Sequence, residues 1–163
     1  MEAVGGRAVS ATRGARWTLA GLVVVLVLLV DQGTKALVRS SLAPGERHDV
    51  IGPLSFVDVH NPGVAFGFLG GGGAPVLIVT AAALALLLVY FARHAERQLL
   101  WLPTGLVLGG ALGNLLDRIR QGYVTDFIHL PHWPAFNVAD MCITGGVVAL
   151  VLVLELGGRA AAD

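Results

Sequence analysis

Residues 122–140 read GYVTDFIHLPHWPAFNVAD, a polar segment that lies between two long apolar runs. This segment contains two carboxylates, Asp126 and Asp140, each at the edge of an apolar run and separated by a Pro-bounded turn. Ionisable side chains near membrane depth are costly and therefore suggest function. Each acid alone has an ordinary explanation, a loop residue for Asp126 and an N-terminal helix acid for Asp140. Together they predict a shared site.

The composition indicates an integral membrane protein. Of 163 residues, 55% are hydrophobic and 13% are charged, whereas a soluble domain has roughly 25% charged residues. The mean hydropathy is +0.75. Because the formal net charge is +0 and basic runs are absent from the sequence, we expect no nucleic-acid partner. The single cysteine, Cys142, excludes an intrachain disulfide framework.

The apolar runs predict an all-α integral membrane protein with four transmembrane helices, since about 20 residues are needed to cross the hydrocarbon core. We expect these spans at about residues 17–37, 74–92, 99–117 and 137–155. They would form one domain, residues 17–156, between a mobile basic tail, residues 1–16, and a short tail, residues 157–163. A cleaved signal peptide is the alternative for the first run, but DQGTK follows it instead of a small-x-small cleavage site.

Polar residues gather at the ends of the expected spans. Asp31 and Lys35 are four residues apart with the acid first, the favoured order for an ion pair within a helix. This spacing fits both a salt bridge that ends the first helix and a binding role. In the third span, a glycine at every fourth residue predicts close packing against another helix, at Gly105, Gly109 and Gly113. A polar cluster follows directly, formed by Asn114, Asp117 and Arg118.

Residues 39–73 predict a small sheet at the membrane surface. Residues 55–61, SFVDVHN, alternate in polarity as a short strand does. Asn61-Pro62-Gly63 is a turn signal, and residues 64–69 are expected to form the returning strand. The four glycines at 70–73 predict a flexible connection.

The charge bias weakly favours cytoplasmic N- and C-termini. With four spans, the inside segments would have six basic residues and the outside segments five. Either orientation places the span ends with Asp31, residues 114–118, Asp126 and Asp140 on one face of the membrane. With the N-terminus inside, that face is extracytoplasmic.

Two neighbouring carboxylates in a partly desolvated site cannot both ionise easily, so one holds a proton while the other is a base. Such a pair can activate water against a peptide carbonyl and protonate the leaving amine. This is aspartic protease chemistry, which requires neither a metal nor a covalent intermediate. A metal site at Asp126, His129 and His132 is less favoured because the sequence lacks an HExxH motif. A small proton-coupled transporter is the alternative from another class, but transporter sites favour the membrane midplane.

Five motifs, taken together and in order, closely resemble the lipoprotein signal peptidase family, also called signal peptidase II. They are DQGTK (31–35), NPGVAFG (61–67), GNLLDR (113–118), GYVTDF (122–127) and FNVAD (136–140). Any one of them alone would be a loose pattern, but five in order cover nearly the whole chain from Asp31 onward. The sequence departs from the family pattern at Pro62 and Val64, and these departures leave both acids in place.

The resemblance implies a bacterial enzyme of the cytoplasmic membrane. It would act without a cofactor, as a monomer among membrane lipids, and cleave diacylglyceryl-modified prolipoproteins just before the lipidated cysteine. A β-cradle between the first two helices would lie at the extracytoplasmic face, beside the substrate. Asp126 and Asp140 match the family's catalytic pair. Independently of the resemblance, Arg118 is expected to neutralise its neighbour Asp117 and fix the local helix end, and direct contact with substrate is the less favoured alternative. The positions that match the lining or bracing of the substrate pocket are Asp31, Lys35, Asn61, Gly63, Gly110, Asn114, Asp117, Arg118, Asn137 and Ala139.

Overall fold

The computed structural model describes residues 2–63, 74–97 and 99–159. These residues form a helical protein with one small sheet. In chain order the elements are α1 Glu2–Ser41, β1 Arg47–Ile51, β2 Leu54–Asn61, α2 Ala74–His94, α3 Trp101–Gln121, β3 Val124–His129 and α4 Val138–Arg159. The antiparallel sheet has the order β1-β2-β3.

Helix α1 is longer than the sequence predicts. Residues 2–16, expected to be a mobile tail, continue the helix that runs to Ser41. Two arginines of this segment hold it against the end of α2: Arg13 donates to the carbonyl oxygen of Ala92 at 2.6 Å, and Arg16 donates to that of Ala95 at 2.9 Å. Cations favour the exposed carbonyls at a helix C-terminus, so these contacts give the segment a fixed partner.

Two helical segments, Thr12–Ser41 and Val138–Leu156, are long and apolar enough to cross a membrane, and Ile78–His94 is a shorter apolar helix. The outward face of α1 is apolar: Leu22 is 60% exposed, Leu26 62% and Leu29 68%. Contiguous exposed leucines are unfavourable in water and favourable in hydrocarbon, which supports a membrane location for α1. The other two expected spans stay predictions.

Helix α3 lies between α1 and α4, and its glycines permit the close approach. A Cβ atom on Gly105 would lie 2.7 Å from Cβ of Val23 in α1, and one on Gly109 would lie 2.7 Å from Cβ of Val27. On the other side, a Cβ on Gly110 would lie 2.5 Å from the carbonyl oxygen of Ala139 in α4. The predicted packing role of the glycine seam is therefore confirmed.

The sheet differs from the prediction in its third strand. The expected strand at residues 55–61 is confirmed as β2, whereas the expected returning strand, residues 64–69, and the glycines at 70–73 lie outside the described residues. β2 pairs instead with β1 and with β3, which follows α3 in the chain. Asp126 is therefore a strand residue, and its interpretation as a loop residue is wrong. The run VTDFIH suits a strand because it is rich in β-branched and aromatic residues.

Candidate active site

Asp126 lies in β3, and side-chain amides from two other parts of the chain hold its carboxylate. Asn61, the last residue of the neighbouring strand β2, donates from Nδ2 to Oδ2 of Asp126 at 2.8 Å. Asn137, just before α4, donates from Nδ2 to Oδ1 at 2.7 Å. Asp126 is only 2% exposed. Both oxygens therefore have hydrogen-bond donors in a site that largely excludes water.

Asp140 lies in the first turn of α4 and also accepts hydrogen bonds at both carboxylate oxygens. Asn114 of α3 donates from Nδ2 to Oδ1 at 2.8 Å, and the backbone N–H of Asn137 donates to Oδ2 at 3.3 Å. In return, Oδ1 of Asn137 accepts the backbone N–H of Asp140 at 2.9 Å. This reciprocal pattern is a capping box, which explains why α4 begins directly after Asn137.

The two acids are joined through these asparagines. Nδ2 of Asn137 also lies 3.2 Å from Oδ1 of Asn114, so one amide pair contacts both Asp126 and Asp140. The pKa of Asp126 is raised from 3.8 to about 6. Burial is the main cause and the negative charge of Asp140 adds to it, while the hydrogen bonds from Asn61 and Asn137 and the charge of Lys35 act in the opposite direction. Asp126 therefore holds its proton more tightly than an exposed aspartate does, as expected for the acid of a carboxylate pair.

A buried charge cluster adjoins the acids. Lys35 lies 2.9 Å from Oδ2 of Asp31 and 3.0 Å from Oδ2 of Asp117, and all three side chains are fully buried. Lys35 also donates to Oδ1 of Asn114 at 2.8 Å. The predicted Asp31–Lys35 ion pair is confirmed, and its depth excludes the simpler interpretation that it ends a helix at the surface.

Asp31 connects α1 to α4. Its Oδ1 accepts the backbone N–H of Ala139 at 2.9 Å, and a Cβ on Gly113 would lie 2.5 Å from its Oδ2. The missing side chain at Gly113 thus leaves space for the carboxylate, and Ala139, which is fully buried, allows α4 to approach. These contacts link two of the residues predicted from the sequence, Asp31 and Ala139, to the position of Asp140.

Arg118 does not neutralise Asp117, contrary to the prediction. Its Nη1 donates to the backbone oxygen of Asn114 at 3.3 Å, one turn earlier in α3. Asp117 lies on the buried side of the helix, where its partners include Lys35 and the backbone N–H of Thr125 at 3.2 Å. Adjacent helical residues point about 100° apart, so the Arg118 side chain points away from the buried side of α3 on which Asp117 lies.

Three residues of this cluster were missing from the sequence-based list. Gln32 donates to Asp31 at 3.1 Å and to Asp117 at 3.1 Å. Arg39 donates to Oγ1 of Thr125 at 3.1 Å and lies 4.0 Å from Asp117. A signal for Arg39 was present, because a spacing of four places it on the same helix face as Asp31 and Lys35. Gln32 and Thr125 lie within the DQGTK and GYVTDF motifs, but their spacing alone does not place them beside Asp117.

The turn after β2 fixes the orientation of Asn61. Gly63 has φ of +80°, a left-handed conformation that glycine adopts without strain. Its backbone N–H donates to Oδ1 of Asn61 at 2.9 Å. Since this oxygen is occupied by a donor, the amide nitrogen of Asn61 faces Asp126. Val64 lies outside the described residues. Within the described part of the chain, His, Cys, Asp and Glu side chains form no group of three or more that could hold a metal ion.

Residues 23–156 match the family model of signal peptidase (SPase) II. The chain belongs to the signal peptidase II family. It is 46% identical over 137 residues to the lipoprotein signal peptidase of Moorella thermoacetica, covering 83% of this chain and 91% of that protein. It is 39% identical over 134 residues to the lipoprotein signal peptidase of Halothermothrix orenii, covering 82% and 92%.

A solved structure described as a bacterial membrane enzyme, obtained by the in meso method at 1.9 Å resolution, has the same fold. It matches with a TM-score of 0.78 and 32% identity, covering 83% of this chain and 91% of that chain. The matches to the family model and to the relatives confirm the expected enzyme class, an aspartic peptidase of the signal peptidase II family. The similar solved structure is that of a bacterial membrane enzyme. The transporter alternative is not favoured by these matches. The catalytic and supporting roles of individual residues stay predictions.

Proposed function

We propose that this signal peptidase II family member removes the signal peptide from diacylglyceryl-modified prolipoproteins by cleaving just before the lipidated cysteine. Family membership supports the reaction class. The observation that carries the proposal is the joining of Asp126 and Asp140 by Asn114 and Asn137, which holds both acids at the junction of β3 and α4. A pair of carboxylates held in this way can share one proton and activate water.

Within this pair, Asp140 is the base. Its carboxylate accepts hydrogen bonds from Asn114 and from the backbone of Asn137, in the first turn of a helix, where the dipole favours negative charge. Asp126 is the acid, because burial and the charge of Asp140 raise its pKa to about 6. Asp140 takes a proton from the attacking water, and Asp126 donates its proton to the carbonyl oxygen of the scissile peptide. The tetrahedral intermediate then collapses: Asp140 passes the proton it took from water to the leaving amine, a hydroxyl of the intermediate returns a proton to Asp126, and the peptide bond breaks.

The helices and the sheet are proposed to have a defined arrangement relative to the membrane. Helices α1 to α4 would be four spans with both termini in the cytoplasm, and the sheet would be the cradle at the extracytoplasmic face. The apolar outer face of α1 supports contact with lipid. The diacylglyceryl anchor then keeps the scissile bond at the level of the acids, so placement of the substrate contributes to selection. The enzyme would act as a monomer.

The other residues predicted from the sequence would support the acids or line the substrate pocket. Their contacts divide them into two sets. Asn61, Asn114 and Asn137 contact the acids directly. Asp31, Lys35, Gly63, Gly110, Asp117, Arg118 and Ala139 contact those asparagines or hold the helices that carry the site.

A cleavage assay tests this function. Purified protein in lipid–detergent micelles is mixed with a diacylglyceryl-modified prolipoprotein, and the released signal peptide is measured. We expect cleavage by the wild type, and at least a hundredfold loss of rate in Asp126→Asn and Asp140→Asn, since general acid–base catalysis contributes roughly 10²–10⁴-fold.

Asp49→Asn is the matched control. Asp49 is an aspartate of the same sheet with a 78% exposed side chain, and its partner is Arg47. We expect this variant to retain wild-type activity. Cleavage at the normal rate by either Asp126→Asn or Asp140→Asn would remove that acid from the mechanism, and equal cleavage of the unlipidated precursor would remove the lipid requirement.

A further inference from the structure

Lys35 has a contact that its two ion pairs do not explain. Besides Asp31 and Asp117, its ammonium donates at 2.8 Å to Oδ1 of Asn114, the residue whose Nδ2 holds Asp140. An ammonium has three donors and no acceptor. Two carboxylates and one amide oxygen therefore use all three N–H groups, and the fully buried Lys35 side chain is left with a single arrangement.

We propose that Lys35 is a positioning residue whose ammonium sets the direction of the Asn114 and Asn137 amides, so that both present N–H donors to the two acids. This inference rests on the proposed function. The side-chain amide of asparagine has an oxygen end and a nitrogen end of nearly the same shape. An ammonium beside it accepts only the orientation in which the oxygen faces the charge.

The orientation of the Asn114 amide affects that of the Asn137 amide. With Oδ1 of Asn114 facing Lys35, its Nδ2 faces Asp140 at 2.8 Å. The same oxygen accepts Nδ2 of Asn137 at 3.2 Å and, together with the backbone N–H of Asp140 that occupies Oδ1 of Asn137 at 2.9 Å, orients that nitrogen toward Asp126 at 2.7 Å. A reversed Asn114 would place its NH₂ group against both the ammonium and the NH₂ group of Asn137, and its oxygen against Asp140.

The acids alone do not maintain this order through a catalytic cycle. An ionised Asp140 attracts the nitrogen of Asn114, but a protonated Asp140 also has a donor of its own. The donor-only Lys35 faces the opposite end of the amide and keeps it oriented in either state. The same positive charge lowers the pKa of Asp126, against the opposite effects of burial and of Asp140. Asp31 and Asp117 adjoin the ammonium, and Arg39 lies 4.0 Å from Asp117.

The test compares kcat, KM and the pH profile for prolipoprotein cleavage in Lys35→Met, Lys35→Arg, Asn114→Ala and the double variant Lys35→Met/Asn114→Ala. We expect Lys35→Met to lower kcat about a hundredfold, as misplacement of catalytic groups by about 1 Å does, with KM within about twofold. We expect Lys35→Arg, which also has donors only but a larger head group, to keep more activity than Lys35→Met. The double variant should have a kcat no lower than that of the more impaired single variant, because both substitutions act through the same Asn114 amide.

Gln32→Leu is the matched control, since the hydrogen bonds of Gln32 go to Asp31, Asp117 and the backbone oxygen of Gly113 and not to the side chain of Asn114. It should lower the unfolding temperature and leave the pH profile of kcat/KM unchanged, whereas Lys35→Met should move the alkaline limb to higher pH. Additive losses in the double variant, an unshifted pH profile in Lys35→Met, or an equal kcat loss in Gln32→Leu would overturn the proposal.

If Lys35→Met does not fold, the same double-mutant comparison is made with Lys35→Arg and Asn114→Ala. The proposal then requires that Lys35→Arg, which lowers the cleavage rate of the wild type, causes no further decrease in a protein that already has Asn114→Ala. These outcomes are distinct from failure of the proposed function. That failure would appear as absent cleavage by the wild type or as normal cleavage by Asp126→Asn or Asp140→Asn.

Discussion

Asn137 donates from Nδ2 to Oδ1 of Asp126 across 2.7 Å, although one residue precedes α4 and the other lies in β3. The same Asn137 side chain accepts the backbone N–H of Asp140 at 2.9 Å and so caps α4. One fully buried residue therefore starts the helix that carries one acid and holds the carboxylate of the other.

These two roles of Asn137 can be separated by substitution. We expect Asn137→Ala to destabilise the protein by about 1 kcal/mol through loss of the cap and to lower kcat at least tenfold. Asn137→Ser keeps a capping oxygen but cannot reach Asp126, so it should lower kcat to a similar extent with a smaller loss of stability. Thermal unfolding and cleavage rates measure the two effects, and full activity in Asn137→Ser would show that the contact with Asp126 is dispensable.

Stability should depend on pH through Asp126. Its pKa is raised from 3.8 to about 6, mainly by burial, so the folded protein binds this proton more tightly than the unfolded chain does. The resulting stabilisation is fully present below about pH 3.8 and is lost as the pH rises through about 6. We expect the unfolding temperature of the wild type to fall between pH 4 and pH 7 by more than that of Asp126→Asn. Equal decreases in the two proteins would contradict this.

Catalysis should lose activity on the alkaline side for the same reason. If Asp126 must be protonated in the free enzyme, kcat/KM should fall above a pKa near 6. The corresponding limb of kcat should lie at higher pH, because bound substrate excludes more water from the carboxylate. Initial rates from pH 4 to pH 9 measure both limbs. A value of kcat/KM that instead rises through pH 6 to a plateau would contradict the assignment of Asp126 as the protonated acid.

The close approach of α3 and α4 should not tolerate a methyl group. A Cβ on Gly110 would lie 2.5 Å from the backbone oxygen of Ala139, so Gly110→Ala must displace the start of α4 together with Asp140. We expect a lower unfolding temperature and at least a tenfold loss of cleavage rate. Gly21→Ala is the control, because a Cβ there meets nothing within 4 Å. It should preserve activity and increase stability by up to about 1 kcal/mol. Equal behaviour of the two variants would exclude a packing role for Gly110.

Water activation by two carboxylates requires no metal. We therefore expect cleavage to continue at the same rate after dialysis against a chelator, and addition of zinc or magnesium to produce no increase. Loss of activity with the chelator and recovery with one of these cations would instead favour a metal site near Asp126, His129 and His132.

Much of the fold and both acids were predictable because their signals are local. Hydropathy identified α1 and α4, the spacing of four identified the Asp31–Lys35 pair, and alternation identified β2. The five short motifs identified the family that the match over residues 23–156 confirms. Residues 2–16 were predicted to be a tail because their composition is that of a linker, whereas they continue α1, and Arg13 and Arg16 contact the end of α2.

Apolar run length, helical spacing and motif order are properties of neighbouring residues, so the sequence by itself determined the family and its membrane class and predicted Asp126 and Asp140 as the catalytic candidates. Only the tertiary structure decided that Asp126 lies in a strand, that Asp117 pairs with Lys35 rather than with Arg118, and which way the amides of Asn114 and Asn137 point. These features depend on the register between elements far apart in the chain. A hydrogen bond requires its two atoms to lie within about 3 Å of each other, and that register is set only when the helices and the sheet pack together.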